Sequence, residues 1–441
     1  MLINNRVRAE EEVFSDLAKL CVADGYAHVI AYLCFRDNSI FYKDKLTTKD
    51  FEHQSSRERL IRTEINTLIG LMCKAELKLE IPPPSELQRL IEKTELLLNE
   101  MHEAMSAIWW QGFESPLEMI KSETNPFASG KGMREPIFYS GESAYDFQYR
   151  ELAFIKYEND AQWFEEEKGF SLTDAKSIVD VLSEIQTIKL ELTRESIRGL
   201  PPEQWTMLPA FKVTDEDITS RTKLSAEVVE KFLKSFSIKN GSTTNIQFDS
   251  LNAFNQSNST PFINIDDRSF LLFQNYSLCE AFYETPFFWM ASDNAYFNEA
   301  MKNRGNFLEQ YSAKRLRSVF GNDRVYENVH IWDSGRDEVG EIDVLVVFAN
   351  RAIILQAKTK RLTIEARKGN DFQLKDDFKK SIQESYDQGL LCANTLNKDE
   401  FVFKYESGQQ IELKNEINCS ARPSPIPGVL RLRKTKPASY A

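Results

Sequence analysis

The spacing of apolar residues near the start of the chain is that of amphipathic helices. Apolar side chains recur every three or four positions across Thr48–Leu79 and Ser85–Ser106, which is the repeat of one helix face. A run of three prolines, Pro82–Pro84, separates the two stretches, and proline interrupts helices. We therefore predict a mostly helical N-terminal region over residues 1–134.

The middle of the chain, residues 135–294, is rich in aromatic residues that we interpret as core. Its segment 214–237 has the pattern of a short helix, a turn at Leu224-Ser225 and a second amphipathic helix. This pattern is similar to the helix-turn-helix of winged-helix domains. The second helix carries as many glutamates as lysines on its polar positions, whereas insertion into a DNA groove favours positive charge. We therefore favour a protein-packing role over DNA reading.

The pattern changes from helical to strand-like in residues 295–417. An amphipathic helix is predicted at 298–320 and is followed by alternating strand-like residues at 324–332. Two apolar runs, a long helix and a final strand come next, so the predicted order is helix, three strands, helix, strand. With the helical region before it, the chain is predicted to be α+β overall, with a C-terminal α/β core. The runs and elements that complete this order are Ile342–Phe348, Ala352–Leu355, 371–397 and 401–405.

The two apolar runs predict a β-hairpin with a candidate site at its open end. They are rich in Val and Ile and are separated only by Ala349–Arg351, which is short enough for a tight turn. A turn at Asn350-Arg351 places Asp343 opposite Lys358, and a turn at Ala349-Asn350 places it opposite Gln356. Because side chains alternate along a strand, both registers put the three residues on one face. A three-residue loop would break this arrangement.

Composition and charge describe an ordinary globular protein with an uneven charge distribution. The chain has 441 residues, 42% apolar and 28% charged, and a net charge of −12. Residues from 295 onward hold about 24 basic and 20 acidic side chains, so the first two thirds carry about −16. No signal peptide and no membrane-length apolar stretch is evident. We expect a cytoplasmic protein without a membrane partner.

The remaining signals are cysteine spacing and the end of the chain. Six cysteines are scattered without a Cys-x-x-Cys pair, and the four histidines show no ligand-like spacing. Neither a zinc site nor a disulfide framework is therefore predicted. Residues 418–441 are rich in Ser, Pro, Arg and Lys, which predicts a disordered tail.

Four motifs occur in an order that resembles the PD-(D/E)XK nuclease superfamily, over about residues 298–405. They are Glu309 on the first helix, Gly340–Asp343 and Gln356–Lys358 on the hairpin, and Gln383–Gln388 on the second helix. The nearest branches by resemblance are the nuclease-related domain (NERD) and Mrr-like proteins, where glutamine often precedes the lysine. The resemblance implies a restriction-endonuclease-like core and a metal-dependent deoxyribonuclease, more typically an endonuclease.

The residue types agree with that chemistry. Hydrolysis of a phosphodiester by metal-activated water needs a hard cation with oxygen ligands, which points to Mg²⁺ with Mn²⁺ as a substitute. Asp343 is the predicted primary ligand, and Lys358 is predicted to orient the water and stabilise phosphate charge. The other predicted metal ligands are Gln356, the backbone carbonyl of Ala357, Glu309 and Glu341. The predicted DNA contacts are Lys360, Arg361, Gln383, Tyr386 and Gln388.

Two alternatives remain open at the level of sequence. Gln356 offers a neutral oxygen where the commoner motif has a carboxylate, which favours a catalytically inactive nuclease fold that binds DNA or serves assembly. An RNA substrate is equally compatible with the residues. The resemblance suggests genome defence or repair, with the N-terminal region serving a protein partner or self-association.

Overall fold

The chain folds as a mixed α+β protein with two compact units. A computed structural model describes residues 7–39, 45, 47–54, 56, 59–110, 131–139, 144–241, 245–334, 337–358, 363–367, 370–396, 398–413, 421–423 and 429–432. One unit comprises Met1–Met290 with Arg367–Gly369, and the other comprises Ala291–Ala366 with Asn370–Ala441. The first unit takes in residues of both the predicted helical region 1–134 and the predicted middle region 135–294.

The first unit is mostly helical. The predicted long helix at 48–79 is interrupted, because its described residues form two helices, and the helix after the prolines extends to Trp110. The helices are α1 Glu10–Cys21, α2 Tyr26–Asn38, α3 Thr48–Gln54, α4 Arg62–Met72, α5 Pro84–Trp110, α6 Arg134–Tyr139, α7 Asp146–Lys156, α8 Ala161–Trp163, α9 Leu172–Ser196, α10 Leu208–Phe211, α11 Asp215–Thr219, α12 Ala226–Ser235 and α13 Asn275–Ser292.

The core of this unit is built from the apolar faces of α1, α2, α4 and α5. Leu17, Ile30, Leu68 and Leu97 are completely buried in one cluster. Burial of such side chains stabilises the fold by about 1.5–3 kcal/mol each. The helical periodicity of the sequence therefore has the expected physical origin, which is one buried stripe per helix.

A small sheet accompanies the predicted helix-turn-helix segment. Its strands are β1 Lys212–Thr214, β2 Ser237–Lys239, β3 Phe262–Asp266 and β4 Ser269–Leu271, in the spatial order β1-β4-β3-β2. The helix α12 begins at Ser225, whose hydroxyl accepts a hydrogen bond from the backbone N–H of Val228, as an N-cap does. Its lysines Lys231 and Lys234 each pair with a glutamate one turn earlier. The outer face of α12 therefore carries paired charges.

Within the described part of the chain, no helix taken alone is both long enough and apolar enough to cross a membrane. The helices α1 and α2 meet both requirements only when taken together, across a bend of 106°.

The second unit contains the predicted order of helix, three strands, helix and strand. Its helices are α14 Phe297–Phe320, α15 Ile364–Arg367, α16 Asp371–Phe378 and α17 Glu384–Thr395, and a π-helical stretch, Lys379–Gln383, joins the last two. Its strands are β5 Val325–Asp333, β6 Asp337–Phe348, β7 Arg351–Leu355, β8 Phe401–Lys404, β9 Ala421–Pro423 and β10 Val429–Leu432. They form one sheet in the order β8-β5-β6-β7-β10-β9.

Helices pack on this sheet through two separate core clusters. Leu345 and Ile354 belong to the cluster that includes Cys392 of α17. Val344 and Val346 belong to the cluster that includes Ala313 of α14. Adjacent residues of β6 thus contribute to different clusters, which explains why this strand reads as a continuous apolar run rather than as an alternating one.

The described part of residues 418–441 consists of two short strands, β9 and β10. The strand β10 pairs antiparallel with β7, with Leu430 opposite Ile354, and β9 pairs with β10. Val429, Leu430 and Leu432 supply the strand-forming residues of a Pro-rich segment. The sequence did not predict these short strands, because prolines and basic residues outnumber the strand-forming residues in 418–441.

Candidate functional site

The turn of the β6–β7 hairpin fixes the position of Asp343. Phe348 pairs with Arg351, so Ala349-Asn350 form a two-residue turn, which is one of the two predicted registers. Continued to the open end, this register places Asp343 opposite Gln356. Ala349 has a φ of 52°, a left-handed conformation that costs about 1–2 kcal/mol for a residue with a Cβ.

Asp343 is a buried carboxylate at the open end of the hairpin. Asp343 is only 9% exposed. Its Oδ2 accepts a hydrogen bond from the backbone N–H of Ala357 at 2.5 Å. This bond holds the carboxylate against the backbone that follows β7. A buried carboxylate with few donors is costly, so the position is unusual for a purely structural residue.

Strict alternation does not hold around Asp343, contrary to the assumption behind the prediction of a single face. Ile342 and Leu345, which are three positions apart, pack in the same core cluster. Asn328 lies on β5 between residues that pair with Ile342 and Val344, and its φ is 48°. The strands are therefore distorted at this point, and the site is assembled by contacts at the hairpin end rather than by a regular pleat.

Gln356 is more deeply buried than Asp343 and is held by its amide nitrogen. It is 2% exposed, and its Nε2 donates to the backbone carbonyl of Glu341 at 2.7 Å. The Cys392 thiol lies 3.8 Å from the same nitrogen. The amide oxygen, Oε1, is buried and accepts no hydrogen bond from any residue that the structure describes. An unpaired buried acceptor costs about 1–3 kcal/mol, which a bound cation would offset.

Asp343 and Glu309 have pKa values above the ordinary carboxyl range. Burial raises the pKa of Asp343, and the neighbouring Glu341 raises it further, while the Ala357 N–H and the charge of Lys358 oppose the shift. Burial also raises the pKa of Glu309 on α14, with the charges of Asp343 and Glu341 as the next causes. These charge interactions place Glu309 beside the hairpin end, so the helix acid and the hairpin acids share one electrostatic environment.

Lys358 follows the buried part of the hairpin and is exposed. Its Nζ donates to Oε1 of Gln388 on α17 at 3.3 Å. Its charge lowers the pKa of both Asp343 and Glu309. The lysine therefore lies close enough to the carboxylates to interact with them while its ammonium remains accessible to a ligand.

The predicted DNA contacts divide into three groups. Lys360 and Arg361 lie outside the described residues. Gln388 is brought to the site through Lys358, as described above. Gln383 and Tyr386 are not brought there by any contact within the described residues: the amide of Gln383 donates to Asp387 on its own helix, and Tyr386 packs against the core. The roles of Gln383 and Tyr386 in DNA contact remain predictions.

The donor set at the hairpin end fits a hard divalent cation. Asp343 lies opposite Gln356 on the hairpin, and Oε1 of Gln356 is unpaired among the described residues; the carboxylates of Glu309 and Glu341 and the backbone carbonyl of Ala357 are the other predicted ligands. All are oxygen atoms, which Mg²⁺ and Mn²⁺ prefer. Burial is the main cause of the raised pKa of Asp343 and of Glu309, and neighbouring carboxylates add to each shift; a bound cation would oppose both.

The structure contains a second group of ligand-type side chains, which was not predicted from the sequence. His330, Glu338 and Glu341 have ligand atoms that all lie within 4.8 Å of one another. Residues 338 and 341 are three positions apart, and regular alternation would place them on opposite faces. The pairing of β5 with β6 is irregular between Ile331 and Trp332. This irregularity brings the three side chains together and leaves no simple spacing in the sequence.

Comparison with known proteins adds no relative. The chain matches no family model, and searches of curated proteins and of solved structures also gave no match.

Proposed function

We propose that residues 295–417 form a restriction-endonuclease-like core of the PD-(D/E)XK type, which hydrolyses phosphodiester bonds of DNA with Mg²⁺. The observation that carries the proposal is that a buried carboxylate, Asp343, lies opposite Gln356 at one end of a hairpin, and that the Oε1 of Gln356 has no hydrogen-bond partner among the described residues. Lys358 follows two positions later, with its ammonium exposed. A carboxylate, an amide oxygen and a cationic side chain in this order are the parts that the superfamily resemblance implies.

Asp343, Gln356 and Glu309 would hold the cation, with the Ala357 carbonyl and Glu341 as further oxygen donors. Bound Mg²⁺ would neutralise phosphate charge and lower the pKa of the attacking water. The neutral Gln356 contributes one carboxylate fewer than the commoner motif. Glu309 would restore that charge. Its pKa is raised by burial and next by the charge of Asp343, as expected for a neighbouring acid.

The remaining chemistry belongs to Lys358 and the backbone around it. An ammonium group at this place would stabilise the negative charge that develops on the phosphate oxygens. Gln388 keeps that ammonium near the carboxylates through its Oε1. The Ala357 N–H fixes Oδ2 of Asp343, which leaves Oδ1 as the oxygen that turns toward a ligand.

DNA is the substrate that we propose, in a cytoplasmic setting of defence or repair. The segment that follows Lys358 holds Lys360, Arg361, Arg367 and Lys368, a density of basic residues that suits contacts with phosphates. RNA carries the same phosphates and is the natural competitor. The mostly helical first unit would then serve regulation or partner recognition.

One observation favours a second candidate function, a non-catalytic DNA-binding or assembly module. Residue 356 is a neutral amide whose Nε2 donates to the Glu341 carbonyl, so it adds no negative charge to the metal site. A site with fewer charges binds Mg²⁺ more weakly, and the fold would then keep nucleic acid without cleaving it.

Cleavage of matched substrates distinguishes the two candidates. Supercoiled plasmid, linear duplex DNA and RNA of the same sequence are incubated with the full chain in Mg²⁺, in Mn²⁺ and in EDTA. The proposal predicts metal-dependent cleavage of DNA that Asp343→Ala abolishes and Lys358→Ala strongly reduces. Equal activity of all three proteins would overturn it, and salt-dependent binding without turnover would establish the second candidate.

A further inference from the structure

A histidine and two glutamates form a compact group on β5 and β6. His330 pairs with Glu341 across the two strands. The Nδ1 of His330 lies 2.8 Å from Oε1 of Glu338. One ligand atom from each of the three residues lies within 4.8 Å of the others. The group is thus a set of three converging ligand-type atoms rather than a single ion pair.

An irregularity in the sheet produces this convergence. Ile331 pairs with Gly340, but the next residue, Trp332, pairs with Glu338, so Val339 is an extra residue on β6. An extra residue of this kind shifts the side chains beyond it to the other face. Glu338 therefore lies on the face of His330 and Glu341. Bulges of this type commonly re-aim a side chain next to a functional site.

One carboxylate of the group, that of Glu341, has no described partner. Glu341 is half-buried, and its carboxylate makes no hydrogen bond or ion pair with any residue that the structure describes, whereas its charge raises the pKa of Glu309 and Asp343. A second pair on the chain, His102 with Glu135, shows the simpler arrangement, with Nδ1 and Oε1 3.2 Å apart and no third ligand-type atom grouped with them among the described residues. The His330 group has an additional carboxylate that such a pair does not need.

We propose that His330, Glu338 and Glu341 bind a transition-metal cation of the Zn²⁺ type. Tetrahedral zinc takes nitrogen and carboxylate oxygen ligands at about 2.0–2.2 Å, which places the ligand atoms about 3.5 Å apart. Atoms that already lie within 4.8 Å reach that spacing by small rotations. An imidazole ligand selects Zn²⁺, Co²⁺ or Cu²⁺ over Mg²⁺, which prefers oxygen donors alone. Three protein ligands leave the fourth position open.

This site differs from the proposed Mg²⁺ site in two of its three ligands, His330 and Glu338, and in its metal preference. Glu341 is common to both groups, so the two cations would be neighbours. His330 and Glu338 have no role in the proposed hydrolysis and make suitable test positions. The inference does not rest on the proposed function, because metal binding at His330 can be measured whether or not the protein cleaves DNA.

Cobalt binding to the tag-free, full-length chain tests the site. The protein is first stripped of metal with EDTA, and Co²⁺ is then titrated while its visible absorption bands are recorded. Zn²⁺ is added afterwards as the competitor. His330→Gln and Glu338→Gln each remove one ligand, His102→Gln is the matched control, and Asp343→Asn disturbs only the neighbouring site. Circular dichroism and thermal unfolding establish that each variant is folded.

The wild type is expected to bind Co²⁺ with a tetrahedral spectrum that Zn²⁺ abolishes and millimolar Mg²⁺ does not. His330→Gln and Glu338→Gln should weaken binding by at least about tenfold, whereas His102→Gln and Asp343→Asn should retain it. Absence of the Co²⁺ bands from the wild type would overturn the proposal, as would unchanged affinity in Glu338→Gln, whose side chain is 40% exposed and tolerates substitution. Cleavage assays in Mg²⁺ report on the proposed function separately.

Discussion

The Oδ2 atom of Asp343 lies 2.5 Å from the backbone nitrogen of Ala357 and accepts its hydrogen bond. This contact joins the strand that carries the aspartate to the segment that carries Gln356 and Lys358. It also explains why a carboxylate can remain at a buried position, because one of its two oxygens is paired. The other oxygen is then the one that a cation would use.

Asp343→Asn is expected to abolish Mg²⁺-dependent cleavage without unfolding the protein. The asparagine keeps an oxygen for the Ala357 N–H but removes the buried charge, so the melting temperature in EDTA should be equal to or above that of the wild type. Loss of a charged metal ligand should lower the cleavage rate by about 100-fold or more. Asp333→Asn, which changes an exposed carboxylate at the end of β5, is the control and should retain full activity. Wild-type activity in Asp343→Asn would contradict the assignment.

Lys358 is expected to act through its charge. Lys358→Ala should reduce the cleavage rate by about 10²–10³-fold, as removal of a group that stabilises developing charge does, and Lys358→Arg should recover part of it. Gln388→Ala removes the acceptor that holds the ammonium, and the loss should be no more than about tenfold. Steady-state rates at saturating Mg²⁺ measure all three. A larger effect of Gln388→Ala than of Lys358→Ala would contradict these roles.

Gln356→Glu tests how the glutamine limits the metal site. The new carboxylate loses the Nε2–H that donates to the Glu341 carbonyl, so the apo-protein should be destabilised by about 1–3 kcal/mol. The additional charge should tighten Mg²⁺ binding, so the rise in melting temperature on adding Mg²⁺ should exceed that of the wild type. Thermal unfolding with and without Mg²⁺ measures both effects. An identical Mg²⁺-induced shift in the two proteins would place Gln356 outside the site.

His28 predicts a pH dependence of stability in the first unit. Its Nε2 donates to the Leu79 carbonyl, and its Nδ1 therefore accepts from the Thr206 hydroxyl. Burial lowers its pKa below the ordinary value of 6.5. The unfolded chain then binds a proton more readily than the fold does, so this contribution is complete above pH 6.5 and is lost as the pH falls through the folded pKa.

The melting temperature should accordingly decrease between about pH 8 and pH 5, and His28→Gln should flatten that decrease. His102→Gln, which changes a histidine with a half-exposed side chain, should leave the slope as in the wild type. Parallel slopes for His28→Gln and the wild type would show that another group controls the transition.

Much of the second unit could be predicted from the sequence, because its elements follow simple patterns. The apolar runs on both sides of Ala349-Asn350 predicted the hairpin, and the pattern allowed two registers, of which the structure has the one that places Asp343 opposite Gln356. The choice between the two registers depended on Ala349, which adopts a positive φ. The conformational propensity of alanine does not favour a positive φ. A residue of this type reflects the surrounding structure rather than its own preference.

The local distortions of the strands could not be predicted. Asn328 adopts a left-handed conformation within β5, and Val339 is an extra residue in β6. Both distortions change which side chains lie on the same face of the sheet. Neither can be recognised from the spacing of apolar residues in the sequence. His330 and Glu338 were missed for this reason, and the single face expected for Asp343, Gln356 and Lys358 became a set of contacts at the hairpin end.

Anomalous scattering from Mn²⁺ in crystals of the protein tests the Asp343–Gln356 site most directly. Data collected near the manganese absorption edge should show a peak about 2–2.5 Å from the free oxygen of Asp343 and from Oε1 of Gln356, and Asp343→Asn crystals should lack it. A Mn²⁺-saturated crystal without a peak between these two side chains would contradict the metal site and, with it, the proposed hydrolysis.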